Sequence, residues 1–522
     1  MGFQQLLPIS RKIESPKRMA QKDALHSTPA TARCGSGCQG LDDILGGGFP
    51  PGHFYLLEGE PGSGKTTLAL QFMADGLRNG EKVLYITLSE SPAELRSVAR
   101  SHGIQLDGIQ FLELKPSEQD LKPEGQYTVF HPAEIELNDR LLTIVNEVAR
   151  LKPDRLVIDA LSEVRMLAKD PLRYRRQVIS LREHMPPGCT VLLLDDRSSR
   201  HADLELHSIV HGVVILEKVH RDYGKTRRRI EVSKLRGCAF REGYHDYIIR
   251  TGGLLVFPRL VAAEHLTQSD SNGSSSSGIE QLDALVGGGL DHGTSTLLLG
   301  PAGCGKTTIA LRWLTAAAAR GEKTAAFIFE ETVSTLLRRA KGLGMELEPH
   351  IDSGHVKIEH FDPAEMSPGE FANGVLQCVD RDNARTIVID SLNGFLQSMP
   401  GEQYLPLHLH ELLTYLNHKG VVTLLVLAQA GLVGNNIQTP ADVSYLADNI
   451  LVLRYFEAQG EVKQAISMIK KRSGRHEHTI RELRLGPDSI RVGEPLTNFH
   501  GVLSGIPAIV GQPNGHGLRL DD

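Results

Sequence analysis

The 522-residue chain has a single tryptophan, six cysteines and 5% aromatic residues, and nowhere does it stay apolar for long. Each shortage excludes something. With no apolar run of about 20 residues there is no candidate for a membrane-crossing helix. The N-terminal stretch has no apolar signal core, and Leu6 stands where N-myristoylation after Met1-Gly2 wants Ser or Thr, so neither secretion nor a lipid anchor is expected. Only Cys34 and Cys38 are close together, and without a second pair at ligand spacing the cysteines read as buried or loop residues in a reducing cytoplasm, not as zinc ligands. Neither sign of charge prevails: Lys and Arg number 57 against 63 Asp and Glu, and a net charge of −6 gives no global attraction to nucleic acid or an anionic membrane.

Glycine, by contrast, is abundant and placed. Gly59-Glu60-Pro61-Gly62-Ser63-Gly64-Lys65-Thr66-Thr67 fits the phosphate-binding pattern G-x-x-x-x-G-K-[ST]. The apolar run Phe54-Tyr55-Leu56-Leu57 precedes it, and Leu68, Phe72, Met73 and Leu77 follow on one helical face. That places the loop between a buried strand and a helix N-terminus. Glycines let backbone N–H groups turn onto phosphate oxygens, the helix dipole favours the same charge, Lys65 reaches the β- and γ-phosphates, and Thr66 ligates Mg²⁺. The pattern recurs as Gly300-Pro301-Ala302-Gly303-Cys304-Gly305-Lys306-Thr307-Thr308 after Leu297-Leu298-Leu299. The offset from Lys65 to Lys306, 306 − 65 = 241, also superposes Ser36-Gly37 on Ser277-Gly278, Leu41-Asp42 on Leu282-Asp283 and Gly46-Gly47-Gly48 on Gly287-Gly288-Gly289. A chance motif does not recur with its flanks, so the chain is read as an internal duplication.

A duplication of this length predicts two α/β domains, each a mostly parallel sheet flanked by helices. Strands are expected at 53–58, 82–88, 155–159, 190–194, 212–216 and 229–234, and again at 294–299, 324–329, 386–390, 421–427, 449–453 and 464–470. The first domain is set at 31–258 and the second at 277–497, joined by 259–276, whose Ser- and Gly-rich part is a flexible linker by composition. Residues 1–30 and 498–522 read as tails.

A phosphate loop needs a carboxylate at the end of a neighbouring strand to hold the metal. Leu156-Val157-Ile158-Asp159 and Ile387-Val388-Ile389-Asp390 both supply one. Hydrolysis also needs a base or a water-orienting group. After Phe327-Ile328-Phe329 the second copy has Glu330-Glu331, whereas after Ile86-Thr87-Leu88 the first has Ser89-Glu90. The two copies are not chemically equal.

The tandem loops, the Ser-Gly-x-x-x-Leu-Asp and Gly-Gly-Gly lead-ins, Phe-Glu-Glu, Lys234-Leu235-Arg236-Gly237 and Arg454-Tyr455-Phe456-Glu457-Ala458-Gln459-Gly460-Glu461 together resemble the KaiC family of RecA-like ATPases, over about 31–497. The resemblance implies two RecA-like domains, ATP and Mg²⁺ as ligands, a double-ringed hexamer with ATP between subunits, and, in clock members, an autokinase in the second ring. It implies paired catalytic roles for Glu330 and Glu331, with Glu330 as general base. Glu90 matches the second of that pair and Ser89 the first; a serine cannot act as a carboxylate base at neutral pH, which leaves Glu90 as the candidate to substitute in the first copy. Lys234 and Arg236, and Lys470 and Arg472, match cations given to the γ-phosphate of a neighbouring subunit, an arginine-finger device. A histidine following this motif is kept as His476 and replaced by Phe240 in the first copy. The phosphoacceptor pair of clock members falls on Ser444 and Tyr445, of which only Ser444 is retained. A KaiB-like or other signalling protein is the implied partner.

Two other readings bear on the same residues. A RecA-like DNA motor would share the fold, but the acidic balance and the lack of a nucleic-acid-binding motif speak against it, and Arg227-Arg228-Arg229 reads as a polar hairpin edge. Alternatively the first domain is an assembly scaffold that binds nucleotide and hydrolyses it slowly, which Ser89 favours.

Overall fold

The computed structural model describes residues 32–114, 132–168, 170–197, 204–220, 224–265, 273–362, 364–397, 404–429, 443–486, 489–503 and 508–509. The tail expected at 1–30, much of the linker and most of the tail expected at 498–522 lie outside them. Two compact units form, one from Met1–Glu217, Ile230–Gly243 and Ile248–Val256, the other from Lys218–Arg229, Tyr244–Tyr247 and Phe257–Asp522.

The first nine-stranded sheet, most of whose residues fall in the first unit, has the strands β1 (Phe54–Gly59), β2 (Val83–Thr87), β3 (Gln110–Glu113), β4 (Arg155–Asp159), β5 (Thr190–Asp196), β6 (Gly212–Val219), β7 (Arg227–Leu235), β8 (Tyr244–Arg250) and β9 (Gly253–Phe257). Their order is β3-β2-β4-β5-β1-β6-β7-β8-β9. From β3 to β6 every pairing is parallel. The strand feeding the phosphate loop is therefore central, with β5 on one side and β6 on the other.

The second unit repeats this order strand for strand: Val356–His360, Thr324–Ile328, Thr386–Asp390, Val422–Ala428, Ser295–Gly300, Asn449–Ala458, Glu461–Lys471, Ile480–Gly486 and Ser489–Pro495. Its last four strands are mutually antiparallel. Both faces of the parallel part are covered. Leu298, Ala326, Ile328 and Val388 enter one core with the helix Lys306–Ala319, while Leu297, Ala325, Phe327, Ile387 and Ile389 enter the other with Phe371, Phe395 and Leu412. Burial on both sides is why these strands read as continuous apolar runs and not as alternating ones.

The helix Lys65–Arg78 is pinned in the first unit by Arg155 on β4. This guanidinium, 1% exposed, donates to the carbonyls of Gly35 and Phe72 (both 2.8 Å), pairs with Asp75 (3.0 Å) and Glu81, and covers the Phe72 ring at 4.8 Å. A buried charge so fully partnered is structural.

Two expectations are corrected. Arg227-Arg228-Arg229 is not at a sheet edge, since β7 lies between β6 and β8. Arg227 pairs with Asp246 at 2.8 Å and Arg229 stacks over Tyr244 at 4.3 Å, so two of the three cations are already engaged. Six strands of the two large sheets were also not foreseen, β3, β8, β9 and their counterparts Val356–His360, Ile480–Gly486 and Ser489–Pro495. Nor were the short antiparallel pairs Ser274–Ser275 with Leu290–Asp291, the former inside the expected flexible linker, and Phe499–His500 with Ala508–Ile509.

Candidate nucleotide sites

The two loops have one geometry. Gly64 and Gly305 sit just before their helices at φ 102° and 100°, in the left-handed region. That conformation demands glycine; a Cβ would also displace a side-chain tip, Ile249 Cδ1 at 2.8 Å from Gly64 or Leu485 Cδ1 at 2.6 Å from Gly305. The helices begin at Lys65 and Lys306, and no side chain caps either one, which leaves first-turn N–H groups facing the loop. Both lysines are buried. Lys65 Nζ donates to the carbonyls of Gly59 (2.7 Å) and Glu60 (3.2 Å) and pairs with Asp196 at 2.7 Å. Lys306 Nζ donates to the Pro301 carbonyl (2.7 Å) and lies 3.9 Å from Cys304 Sγ, and burial holds its pKa below the usual lysine range.

Each loop threonine meets its strand-end aspartate. Asp159 Oδ2 accepts from Thr66 Oγ1 at 3.3 Å and from the Tyr85 hydroxyl at 2.6 Å. Burial pushes the Asp159 carboxyl upward, against the pull of those two hydrogen bonds and of Lys65. Burial likewise raises Asp390 to about 6, opposed by the Thr307 hydroxyl and the Arg339 charge. A hydroxyl and a carboxylate are the hard-oxygen donors that Mg²⁺ takes when phosphates and water complete its shell. Among the described residues no group of three His, Cys, Asp or Glu could hold a metal by itself.

The glutamates differ between copies. Glu330 is exposed and accepts a hydrogen bond from the Ser391 hydroxyl. Glu331 pairs with Arg339 at 2.5 Å, and burial raises its pKa. In the first copy Ser89 is exposed and Glu90 half-buried. The Thr87 hydroxyl pins the Glu90 backbone (2.6 Å to its carbonyl), and Glu90 Oε2 is buried without a hydrogen-bond partner. Burial pushes the Glu90 carboxyl upward, and the Asp159 charge adds to it.

Lys234, Arg236, Lys470 and Arg472 do not join their own loops. Arg236 N bonds the carbonyl of His211, whose N–H bonds the carbonyl of Phe54, the first residue of β1. Arg472 N bonds Asp448, whose N–H bonds Ser295, the first residue of the equivalent strand. The loops leave the other ends of those strands, at Gly59 and Gly300, roughly 17 Å away at about 3.3 Å per residue. Here Lys234 Nζ donates to the carbonyls of His207 and Val210, and Lys470 Nζ to those of Ser444 (3.1 Å) and Ala447 (2.8 Å). Ser444 and Tyr445 are exposed beside these cations. His476 packs against His478, 4.5 Å between ring centroids.

Reading from sequence missed Tyr85, Asp196, Ser391 and Arg339. One signal was present: Thr190-Val191-Leu192-Leu193-Leu194-Asp195-Asp196 is an apolar run ending in acids, like those that flagged Asp159 and Asp390.

A glycine loop on a central parallel strand, with an aspartate two strands away and the whole arrangement duplicated, defines a tandem RecA-like P-loop protein. The family model described as the KaiC ATPase matches residues 34–261 and 275–497, and the chain belongs to that family. It is similar to circadian clock protein KaiC3 of Synechocystis sp., 26% identical over 91% of this chain and 95% of that protein. It is also similar to the circadian clock oscillator protein KaiC of Synechococcus elongatus, 27% identical over 95% of each chain. No described helix is long and apolar enough to cross a membrane.

Proposed function

We propose that this chain is a Mg²⁺-dependent ATP hydrolase whose sites are completed only when copies assemble side by side, in the six-membered double ring the family resemblance implies. The observation that carries this is the placement of Lys234, Arg236, Lys470 and Arg472 at the far ends of their own sheets. A cation there cannot reach the γ-phosphate held by its own loop, but it is displayed for a neighbour's. Catalysis then depends on assembly.

Within one copy, Lys65 and Lys306 grip the β- and γ-phosphates, while first-turn N–H groups bind the remaining oxygens. Thr66 with Asp159, and Thr307 with Asp390, are the pairs that would hold Mg²⁺, which when bound neutralises phosphate charge. In the second site Glu330, oriented by Ser391, takes a proton from water as the water oxygen attacks the γ-phosphorus. The bond from that phosphorus to the β–γ bridging oxygen breaks, and ADP leaves with the electron pair.

Ser444, exposed beside Lys470, is the acceptor candidate for a neighbour's γ-phosphate. The alternative fate of that phosphoryl group is therefore serine transfer in place of water. The relatives' clock roles suggest that the nucleotide or phosphorylation state of the ring is read by a signalling partner of the KaiB-like kind. A scaffold reading of the first site draws support from exposed Ser89.

The deciding experiment is light scattering with and without ATP, run beside γ-phosphate labelling of wild type, Glu330→Gln and Ser444→Ala. Rings that form only with ATP support the proposal, and turnover by monomers refutes it. Label lost in Ser444→Ala identifies the acceptor.

A further inference from the structure

The two lysines at the loops differ in one partner. Lys65 pairs at 2.7 Å with Asp196, a carboxylate 36% exposed at the end of β5. In the second unit that place holds Ala428. The register is explicit, since Gly59 pairs with Asp196 and Gly300 with Ala428, and the next residues, Arg197 and Gln429, both donate N–H to the loop glycine carbonyl (3.3 and 3.0 Å).

Strand order gives this position its meaning. In the first sheet β5 lies between β1, which carries the loop, and β4, which carries Asp159. The end of β5 therefore lies between the lysine that grips the γ-phosphate and the aspartate on the metal side. Asp196 is also held firmly there. Its backbone N–H donates to Asp195 Oδ1 at 2.9 Å, and the Asp195 side chain, 1% exposed, is bound by Arg165. Asp196 is close enough to Asp159 that its negative charge adds to the burial that raises the Asp159 carboxyl. The copy that has lost the strand-end glutamate, with Ser89 in place of Glu330, is thus the copy that has gained a carboxylate beside the phosphate-gripping lysine.

We propose that Asp196 is the catalytic carboxylate of the first site, orienting the attacking water and accepting its proton in place of the glutamate absent at Ser89. The inference rests on the reading of the first unit as an ATP site. An ammonium has three donors, so Lys65 can bind a phosphate oxygen and still hold the Asp196 carboxylate. As water attacks the γ-phosphorus, its proton passes to Asp196, the bond to the β–γ bridging oxygen breaks, and ADP leaves with the electron pair. The proton then leaves Asp196 for solvent. Ala428 offers no such acceptor, and the second site relies on Glu330.

The test uses the full chain carrying Glu330→Gln, so that residual ATP turnover reports the first site, with Asp196→Asn, Asp196→Glu and Glu90→Gln added singly. Asp196→Asn is expected to lower kcat about 100-fold or more while KM for ATP stays the same or falls, since a negative charge is removed beside the γ-phosphate. Asp196→Glu should recover part of the loss, which a purely structural role would not predict. Unchanged or faster turnover in Asp196→Asn overturns the proposal and makes Asp196 only a competitor of the phosphate for Lys65, with first-site hydrolysis left standing. No residual turnover in Glu330→Gln alone overturns it together with first-site hydrolysis.

Discussion

The Ser391 hydroxyl donates a hydrogen bond to Glu330, joining the residue after Asp390 to the residue that follows Phe329. At the corresponding places the first copy has Ala160, after Asp159, and Ser89. Donor and acceptor are thus absent together. The pair is a matched device, and both halves of it are missing from the first copy.

Glu330→Gln should reduce second-site turnover by 10² to 10⁴-fold, the usual range for removing a general base. Ser391→Ala removes a hydrogen bond to a charged group, worth about 1.5–3 kcal/mol, so a smaller loss of roughly 10- to 100-fold is expected. Glu331→Gln should cost less than Glu330→Gln, because Glu331 is engaged with Arg339. Steady-state kcat in an Asp196→Asn background checks all three. Equal effects of Glu330→Gln and Glu331→Gln would reassign the base.

The raised carboxyl of Asp390 has a thermodynamic consequence. Its pKa is about 6 in the fold against an ordinary value of 3.8, so between those values the native state holds a proton that the unfolded chain has released. Its contribution to nucleotide-free stability is fully present below 3.8 and is lost as pH rises through 6. At 1.36 kcal/mol per pKa unit the loss is roughly 3 kcal/mol at neutral pH. Asp390→Asn, which cannot ionise, should unfold at a higher temperature than wild type at pH 7.5 and at the same temperature near pH 4. A pH-independent difference would show that ionisation is not the cause.

How far the sequence could be read depended on how local each requirement was. Gly64 and Gly305 were legible because a left-handed turn before a helix can be recognised from a few adjacent residues. The central strands were legible because burial on both faces makes unbroken apolar runs such as Thr386–Asp390. At the sheet margins that signal fails: Val356–His360 and Ile480–Gly486 are half-covered and carry Lys357, Glu359, Arg481, Glu482 and Arg484 in the run. The missed site residues failed for another reason. Tyr85, Asp196 and Ser391 reach their partners through strand order, and no spacing in the chain says that β5 lies between β1 and β4. The separation of Lys234 and Arg236 from their own loop was hidden in the same way, since it follows from which end of β1 they meet.

The only tryptophan, Trp313, is fully buried in the helix that follows the second loop, with Nε1 donating to the Ser275 carbonyl at 3.2 Å. Its fluorescence therefore reports unfolding of the second unit alone. ATP at about 100-fold above Kd should stabilise that unit by about 2.7 kcal/mol. The gain should survive Lys65→Ala and vanish with Lys306→Ala, because Lys306 belongs to the unit that holds Trp313. A shift lost equally in both variants would mean that the two sites bind nucleotide as one.

The placement of Arg472 and Lys306 at opposite ends of one sheet makes the sharpest test of shared sites. Arg472→Ala removes the cation offered to a neighbour but leaves that subunit's own loop intact, whereas Lys306→Ala removes the loop lysine but leaves the cation. In an Asp196→Asn background, expected to silence the first site, each variant alone should be nearly inactive. Mixed one to one and allowed to exchange, a site is whole wherever an Arg472→Ala subunit faces the cation of a Lys306→Ala neighbour, so roughly a quarter of wild-type turnover should return in randomly assembled rings. Recovery on mixing can arise only if the two residues serve one nucleotide from different copies. If exchange is demonstrated and activity stays absent, Arg472 acts within its own subunit, by way of the Asp448 carboxylate it holds at 3.0 Å.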